Sequence, residues 1–337
     1  MNIEKLLEAG VHFGHRVTKW NPRMAPFIYG ERNGIHILDV IQTMNFLEET
    51  SQFLEKFKNE PSTRTFAKPK EPFSVRKKSS EKTSGRSSEE TAKGFDSAKP
   101  GAARSRKKDV LFVGTKKQAS QLIEKAANTI NGYPSVTESL ENFEFAQSTA
   151  SFSTSSNFES KNSKIVAHYV NHRWLGGLLT NWSTMKICIQ QLNDLEKRNL
   201  TGEFETLPKK ERSNLKKDYE KLMKFFGGIK NLKDIPDLVF IIGQDSEMNA
   251  VRECLKLQKM NSIPAKTLDI DPRSGKPGSG ASKKSISKDT NVQGLRTITL
   301  LDTNCDPELA DLFIPANDDS AKSLNILLDE FTKVLSE

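Results

Sequence analysis

The chain has 337 residues and a formal net charge of +8, with 51 Lys and Arg against 43 Asp and Glu. Residues 58–108 alone hold 15 basic and 6 acidic side chains, so the rest of the chain has a net charge of −1. The overall charge therefore marks one basic segment and gives no argument that the folded part binds nucleic acid. The length accommodates one large domain or two ordinary ones.

The cysteines and the hydropathy exclude further classes of protein. Cys188, Cys254 and Cys305 lie far apart, and the sequence has no CxxC or Cys/His spacing typical of a zinc site. We therefore expect neither a disulfide framework nor a zinc site. A reducing compartment fits this use of cysteine. The sequence has no apolar run as long as a membrane span, so no membrane partner is expected. Residues 1–8 lack the features of a signal or transit peptide, which predicts synthesis in the compartment where the protein works.

A loop rich in cations follows the first predicted helix, which covers residues 2–9 and ends at Gly10. Pro22 and Pro26 favour extended or turn backbone in this loop. The loop combines cations, an indole and an amide, a mixture suited to phosphate and base contacts: Arg16, Lys19, Trp20, Asn21 and Arg23. The alternative interpretation is a loop that Trp20 attaches to the body of the protein.

The next segments predict alternating strands and helices. Residues 35–39 predict a short strand, and residues 40–57 predict a helix with one apolar face against a sheet. Residues 109–114 form a continuous apolar run, DVLFVG, that is typical of a buried parallel strand. Lys116 and Lys117 open the following helix, so this helix N-terminus is predicted to bind phosphate, although the GxxxxGK[ST] motif is absent.

Three segments interrupt this pattern with low-complexity sequence, at residues 58–108, 132–163 and 259–292. The first contains too little apolar surface to offset the entropy of ordering, so we predict that it is disordered. The second includes one candidate helix at residues 138–145. Basic character in the first segment suggests weak, salt-sensitive contact with RNA, and a solvated loop is the alternative.

The stretch NHRWLGGLLTNW, residues 171–182, joins a predicted strand at residues 165–170 to a long helical pattern. Tryptophan beside arginine suits stacking and phosphate contact, and the Gly-Gly pair allows backbone angles that other residues disfavour. The alternative is that each indole fills the core. Its candidate contact residues are His172, Arg173, Trp174, Asn181 and Trp182.

Two apolar heptad patterns follow and predict an antiparallel coiled-coil hairpin over residues 182–228. The apolar positions of the two arms are Trp182, Met185, Ile189 and Leu192, then Leu215, Tyr219, Leu222 and Phe226. The outer faces are charged. They are either simply solvated or part of an arm that reaches RNA or a neighbouring protein.

The remaining chain predicts strands at residues 237–243 and 296–301, with helices at residues 245–257 and 320–335. The two strands and the helix between them form a β-α-β unit once the third low-complexity segment is removed. No GxGxxG motif follows the first of these strands, so dinucleotide binding is not supported. The predicted fold class is therefore α/β, a mostly parallel sheet with helices on both faces.

Two groups of residues suggest metal ligands, and each has a simpler alternative. His12 and His15 lie close together, but no acidic residue or cysteine stands near them in the sequence. Asp302 and Asp306 follow a predicted strand, where open α/β sheets bind ligands. We favour turn and capping roles for these carboxylates over Mg²⁺ binding, and we predict no metal site.

These segments resemble the small-subunit ribosomal protein two family of bacteria, chloroplasts and mitochondria. The resemblance lies in NHRWLGGLLTNW and, along the chain, in GVHFGH, WNP, a PFI-G-RN-HI pattern that includes Asn33, LFVGTK, a GGIK passage, DTN-DP and IP-NDD. It implies a flavodoxin-like sheet of about five strands, a projecting helical hairpin, and RNA as the source of the phosphate bound near LFVGTK.

The resemblance implies a structural constituent of the small ribosomal subunit that binds small-subunit rRNA at several points and is not an enzyme. The implied neighbours are other small-subunit proteins, including the large RNA-binding protein that recruits mRNA. We expect no cofactor, and structural Mg²⁺ accompanying the rRNA is left open. The residues predicted to contact rRNA are Arg16, Lys19, Trp20, Asn21, Arg23, Asn33, Lys116, Lys117, His172, Arg173, Trp174, Asn181 and Trp182.

The predicted organisation assigns residues 1–57 to the RNA-contacting loops and first long helix, and residues 182–228 to the hairpin. The other parts of the α/β domain are residues 109–131, 164–181, 229–258 and 293–337. DTNCDPELAD and IPANDD look more chloroplast-like than bacterial. This resemblance implies a plastid-encoded protein of the chloroplast stroma, and the alternative is a protein of the bacterial cytoplasm. Two further hypotheses are an enzyme with His172 as base and Asp302 as its orienter, and an RNA-binding scaffold outside the ribosome.

Overall fold

The structure, a computed structural model, describes residues 2–60, 107–132, 165–262 and 294–336. Its first elements are α1 (Ile3–Glu8), β1 (Phe13–Arg16), β2 (Ile28–Arg32), β3 (Ile35–Leu38) and α2 (Val40–Asn59). The three strands form an antiparallel sheet in the order β1-β3-β2, with two short 3-10 helices between β1 and β2. The sequence did not predict this sheet, because its strands are short and prolines occupy the segment that joins two of them.

The connection between β2 and β3 is a two-residue turn made by Asn33 and Gly34. Both residues have positive φ, 53° and 73°, and the flanking residues Arg32 and Ile35 are paired across the turn. Asn-Gly is the preferred sequence for such a hairpin, because these residues tolerate the left-handed backbone conformation. Asn33, which was predicted to contact rRNA, therefore has a backbone role that accounts for its presence here.

The larger sheet has five parallel strands. Its strands and the remaining helices are β4 (Lys108–Val113), α3 (Lys117–Asn131), β5 (Ile165–Val170), α4 (Trp182–Leu200), α5 (Glu203–Thr206), α6 (Lys209–Phe226), β6 (Leu238–Ile242), α7 (Met248–Ser262), β7 (Arg296–Leu301), β8 (Leu312–Pro315) and α8 (Ala321–Ser336). The strand order is β5-β4-β6-β7-β8, and every neighbouring pair is parallel. Counted from its first strand this order is 2-1-3-4-5, the flavodoxin-like order that the resemblance implied.

Helices cover both faces of this sheet, so its central strands are buried throughout. On one face, Phe112 and Phe240 belong to a core shared with α1, α2, α3 and α8, and the Phe240 ring centroid lies 4.6 Å from that of Phe331. On the other face, Leu111 and Val239 belong to a second core shared with α4, α6 and α7. Burial on both faces explains why these strands are continuous apolar runs instead of alternating patterns.

The two heptad segments form helices α4 and α6, which contact each other and are joined by α5. Ile189, Leu192 and Phe226 are buried in the second core, and Met185 and Tyr219 pack against it. The heptad positions therefore mark the packed side of each helix. The coiled-coil geometry of the pair and its projection away from the sheet stay predictions.

Nearly all of the three low-complexity segments, and the candidate helix at residues 138–145, lie outside the described residues. The predicted domain boundaries in these segments stay predictions. Among the helices that the structure describes, none combines the length and apolar character needed to cross a membrane.

Gly228 packs so closely on β5 that an added Cβ would overlap the backbone oxygen of Tyr169. We expect Gly228→Ala to lower the free energy of unfolding by about 1–3 kcal/mol, the usual cost of overpacking. Its neighbour provides a matched control: Gly227 has a helical φ of −54°, and its added Cβ would meet only the Met223 side chain, at 3.4 Å. Gly227→Ala should be neutral or stabilising by about 0.4–1 kcal/mol. Urea unfolding of both variants measures the contrast, and equal destabilisation would contradict the close approach.

Candidate nucleic-acid interface

The carboxyl ends of the parallel strands form one edge of the sheet, and the N-terminal segment lies against this edge. The His15 amide donates to Thr303 Oγ1 at 2.9 Å, and the Asn21 amide donates to the Thr303 carbonyl at 2.8 Å. The Asn317 amide donates to the Val11 carbonyl at 3.0 Å. Predicted contact residues before β2 are thereby brought to the loops that follow β7 and β8.

Arg23 is held in this arrangement by two carboxylates. Its Nη1 lies 2.5 Å from Asp306 Oδ2 and 3.1 Å from Glu308 Oε2, while about half of the Arg23 side chain stays exposed. Asn21 Oδ1 accepts a 3.1 Å hydrogen bond from the Arg23 amide. Both predicted residues thus help to attach the N-terminal loop to the sheet, in addition to any contact with a ligand.

Trp20 lies beside this loop with 39% of its surface exposed, and its ring centroid is 5.4 Å from that of the buried His36. One side of the indole therefore packs on the protein, and the rest is accessible. Arg16 and Lys19 are exposed. Exposure of these three residues is compatible with the predicted contact role, and the contact of the indole with His36 is compatible with the alternative in which Trp20 attaches the loop. The contact role stays a prediction.

Lys116 occupies the N-cap position of α3, where phosphate binding was predicted, but its ammonium already has anionic partners. Nζ lies 2.7 Å from both Asp318 Oδ1 and Asp319 Oδ1. Burial alone would lower the pKa of Lys116, but these two carboxylates outweigh burial and raise it. Lys117, the first residue of α3, is exposed and remains available at the same helix end.

His15 joins the same acidic group. Its Nδ1 lies 2.9 Å from Asp302 Oδ2, and its Nε2 lies 3.4 Å from Asp319 Oδ2. His15, Asp302, Asp318 and Asp319 could together hold a metal ion, since their ligand atoms lie within 4.8 Å of one another. The Lys116 ammonium already supplies a cation to two of these carboxylates. The sequence concealed this group, because the acidic partners of His15 follow β7 and β8, 287 to 304 residues along the chain.

The two carboxylates that were candidates for Mg²⁺ have different roles. Asp302 pairs with His15, while Asp306 Oδ1 accepts from the Glu308 amide at 3.1 Å and caps a 3-10 helix. Asp306 therefore has the capping role that the sequence favoured. The enzyme hypothesis needed Asp302 to orient His172, but Asp302 orients His15 instead.

The signature stretch, residues 171–181, forms the loop between β5 and α4. His172, Arg173 and Asn181 are exposed, and Asn181 Oδ1 accepts a 2.9 Å hydrogen bond from Thr184 Oγ1. Trp182 is half-buried against the second core, and its Nε1 lies 3.4 Å from the Lys233 carbonyl. The exposed side of this loop thus presents a cation, an imidazole and an amide next to the start of a helix.

Trp174 points the opposite way, into the second core, with only 6% of its surface exposed. Its Nε1 donates to Glu253 Oε1 at 3.2 Å. The structure thus agrees with the alternative interpretation, in which the indole of Trp174 fills the core. The sequence pair Arg173-Trp174 did not reveal which of the two side chains faces inward. We therefore assign Trp174 to the support of the loop and not to direct contact.

Sequence reasoning missed three carboxylates that shape this edge: Glu247, Glu253 and Asp319. Glu247 accepts hydrogen bonds from the Thr115 amide, at 3.0 Å, and from the Thr115 hydroxyl, fixing the turn after β4. Burial raises the pKa of Glu247, and the bonds from Thr115 oppose that shift. The IP-NDD motif could have pointed to Asp319. Glu247 and Glu253 are single acidic residues near or within a helical pattern, and no motif marks them.

A flavodoxin-like sheet whose carboxyl edge carries cationic, amide and aromatic side chains on short loops defines a class of α/β ligand-binding scaffolds. Comparison with known sequences then identifies the family. The sequence profile described as Ribosomal protein S2 matches residues 6–74, 151–273 and 281–337. This chain belongs to the ribosomal protein S2 family.

Individual relatives match along nearly the whole chain. The small ribosomal subunit protein uS2c of Oltmannsiellopsis viridis is 35% identical over 333 residues, covering 99% of this chain and 91% of the relative. The protein of the same name from Mesostigma viride is 35% identical and covers 100% and 96%. The small ribosomal subunit protein uS2 of Trichormus variabilis is 31% identical and covers 100% and 83%. Family members are structural constituents of the small ribosomal subunit, so this chain is not an enzyme.

The His15–Asp302 pair should make stability depend on pH. The hydrogen bond to Asp302 raises the pKa of His15, although burial opposes the shift. The pair therefore stabilises the fold fully below the unfolded pKa of about 6.5, and this stabilisation is lost as pH rises through the higher folded value. The destabilisation caused by His15→Asn should be largest near pH 5.5 and shrink toward pH 8.5, as measured by urea unfolding.

The control for this prediction is the same substitution in an Asp302→Asn background, where most of the pH dependence should vanish. Asp318, whose pKa burial raises to about 6, and Asp319 also raise the pKa of His15, so the smaller pH dependence that remains in the Asp302→Asn background is assigned to these two carboxylates. A destabilisation that stays constant or grows with pH would show that the pair does not form.

Proposed function

We propose that the chain binds small-subunit rRNA through exposed residues on several loops at the carboxyl edge of its sheet, and thereby acts as a structural constituent of the small ribosomal subunit. The observation that carries the proposal is the signature loop, whose exposed His172, Arg173 and Asn181 stand on a base buried in the second core. Arginine and amide side chains of this kind hold phosphates and read accessible bases.

The proposed contact residues divide into two groups by their environment. The first group is exposed or half-buried and is proposed to contact RNA directly: Arg16, Lys19, Trp20, Lys117, His172, Arg173, Asn181 and Trp182. The second group is proposed to shape the surface: Asn21, Arg23, Lys116 and Trp174 have internal partners, and Asn33 forms the turn between β2 and β3. Ion pairs such as Lys116 with Asp318 fix the loops, so that fewer side chains need ordering when RNA binds.

The mechanism is clamping at several points on a rigid base. Phosphate contacts from Arg173 and Lys117 would set the register of the RNA, and Trp20 offers an indole on which an unpaired base can stack. The buried sheet beneath these loops prevents the contacts from moving independently. Structural Mg²⁺ would enter with the rRNA, and no other cofactor is proposed.

The protein works in the chloroplast. The relatives from Oltmannsiellopsis viridis, Mesostigma viride and Guillardia theta carry the chloroplast-type name uS2c and match 99–100% of this chain. We further propose that its neighbours in the small subunit include the large RNA-binding protein that recruits mRNA. This partner rests on family analogy, and helices α4 and α6, with their charged outer faces, are a candidate surface for protein contact.

Sedimentation of native lysate on sucrose gradients, at low and high salt, tests ribosomal residence. We expect the chain to travel with the small subunit at low salt, and partial release at high salt if phosphate contacts dominate. A chain that stays at the top of the gradient in both salts would instead support the RNA-binding scaffold outside the ribosome.

Arg173 provides a residue-level test. Removing one phosphate contact should weaken binding of the small-subunit rRNA transcript and reduce the slope of log K against log salt by roughly 0.7–0.9. Filter binding of the purified full chain between about 50 and 200 mM salt measures both quantities. Lys333→Ala on α8 is the control, because it removes an exposed cation that lies outside both loops. Equal slopes for Arg173→Ala and wild type would exclude a phosphate contact at this residue.

A further inference from the structure

We propose that Glu253 is a positioning residue for the rRNA contact made by the signature loop. Its carboxylate accepts hydrogen bonds from the buried side of the loop. These bonds hold Arg173 and Asn181, at the two ends of the loop, on the exposed side. The inference rests on the proposed function, because it assigns a role within the same contact surface. It concerns a residue of α7, a helix that contributes none of the proposed contacts.

The hydrogen bonds to Glu253 span the whole turn. Oε1 accepts from Trp174 Nε1 at 3.2 Å and from the Gly177 amide at 2.6 Å. Oε2 accepts from the Leu179 amide at 3.1 Å and from the Thr180 amide at 3.3 Å, with the Thr180 hydroxyl at 3.4 Å. The carboxylate of Glu253 thus accepts five hydrogen bonds from four residues within the stretch 174–180. Such charge-assisted bonds are stronger than bonds between neutral groups.

The loop needs an external acceptor because of its backbone path. Gly177 has a φ of 87°, in the left-handed region, and the chain turns there before α4 begins. Leu179 and Thr180 lie in the loop before the N-cap Asn181, so no regular helix or strand pairing supplies acceptors for their amides, which must find partners elsewhere. The Glu253 carboxylate supplies that acceptor and also anchors the indole of Trp174. The backbone turn and the buried side chain are therefore fixed by the same group.

The carboxylate itself stands on a fixed support. Its neighbours on α7, Val251 and Cys254, are buried in the second core with 2% and 1% of their surfaces exposed. Leu178 and Leu179 of the loop enter the same core, each with 1% exposed. Apolar packing holds the loop close to α7, but it does not specify the rotation of the backbone about that contact. The directional bonds to Glu253 add this specification, which decides where Arg173 and Asn181 point.

The test compares Glu253→Gln with wild type in the full-length chain. Glutamine keeps the length of the side chain but replaces one acceptor oxygen by an amide group that would face backbone donors. The chain has 3 tryptophans, so ¹⁵N-tryptophan labelling gives a simple spectrum in which Trp174 is assigned from Trp174→Phe. We expect Glu253→Gln to shift the Trp174 indole signal and to weaken binding of the small-subunit rRNA transcript about tenfold, through lost preorganisation.

Cys254→Ala is the matched control for stability. It removes a buried side chain from the next position of α7 without touching the loop hydrogen bonds, so it should lower the melting temperature yet leave RNA affinity within about twofold. Binding is measured at a temperature where all variants are folded by circular dichroism. If Glu253→Gln does not fold, Trp174→Phe removes one donor to Glu253 and should weaken binding in the same direction by a smaller factor.

The outcomes separate this inference from the proposed function. If Arg173→Ala weakens binding while Glu253→Gln shifts the Trp174 signal without loss of affinity, the positioning role is overturned and the contact surface stands. Equal affinity losses in Glu253→Gln and Cys254→Ala would also overturn it, because the effect would then be general destabilisation. If wild type binds the transcript and neither Arg173→Ala nor Glu253→Gln changes its affinity, the signature loop is not the contact surface and both proposals fail.

Discussion

Burial of the central strands on both faces is the constraint on which the rest of the structure depends. Strands β4 and β6 are covered by one core on each side, so their side chains are committed to packing. Polar chemistry is consequently confined to the ends of the strands, where the chain turns toward solvent. In a parallel sheet all carboxyl ends lie at the same edge, which brings together loops that are distant in sequence.

The carboxyl edge is organised by internal counter-charges before any ligand arrives. Lys116 meets Asp318 and Asp319, Arg23 meets Asp306 and Glu308, and Glu253 gathers the signature loop. These contacts leave cations such as Arg173 and Lys117 exposed while fixing the backbone beneath them. The surface that we propose to bind RNA thus contains many carboxylates, and these accept bonds from the protein's own donors.

The sequence predicted features that depend on local pattern and missed those that depend on distant partners. The strands at residues 109–114 and 237–243 were predictable because burial on both faces produces unbroken apolar runs. The sheet order was implied only by the resemblance, and the antiparallel N-terminal sheet was not predicted. Lys116 was recognised as a cation at a helix start, but its partner Asp318 lies 202 residues away. For the same reason Trp174 could not be distinguished from an exposed indole, since Glu253 follows it by 79 residues.

The connections of the parallel sheet differ sharply in length on its two sides. The stretches outside the described residues leave the ends of α2, α3 and α7 and return at the starts of β4, β5 and β7. All three are helix-to-strand connections, whereas the signature loop and the turn before Lys117 are strand-to-helix connections. The three long connections therefore join the sheet at the amino ends of its strands, and the signature loop leaves it at a carboxyl end. An affinity tag or a fluorescent label inserted into one of these connections would join the fold at strand ends opposite to those that carry the signature loop.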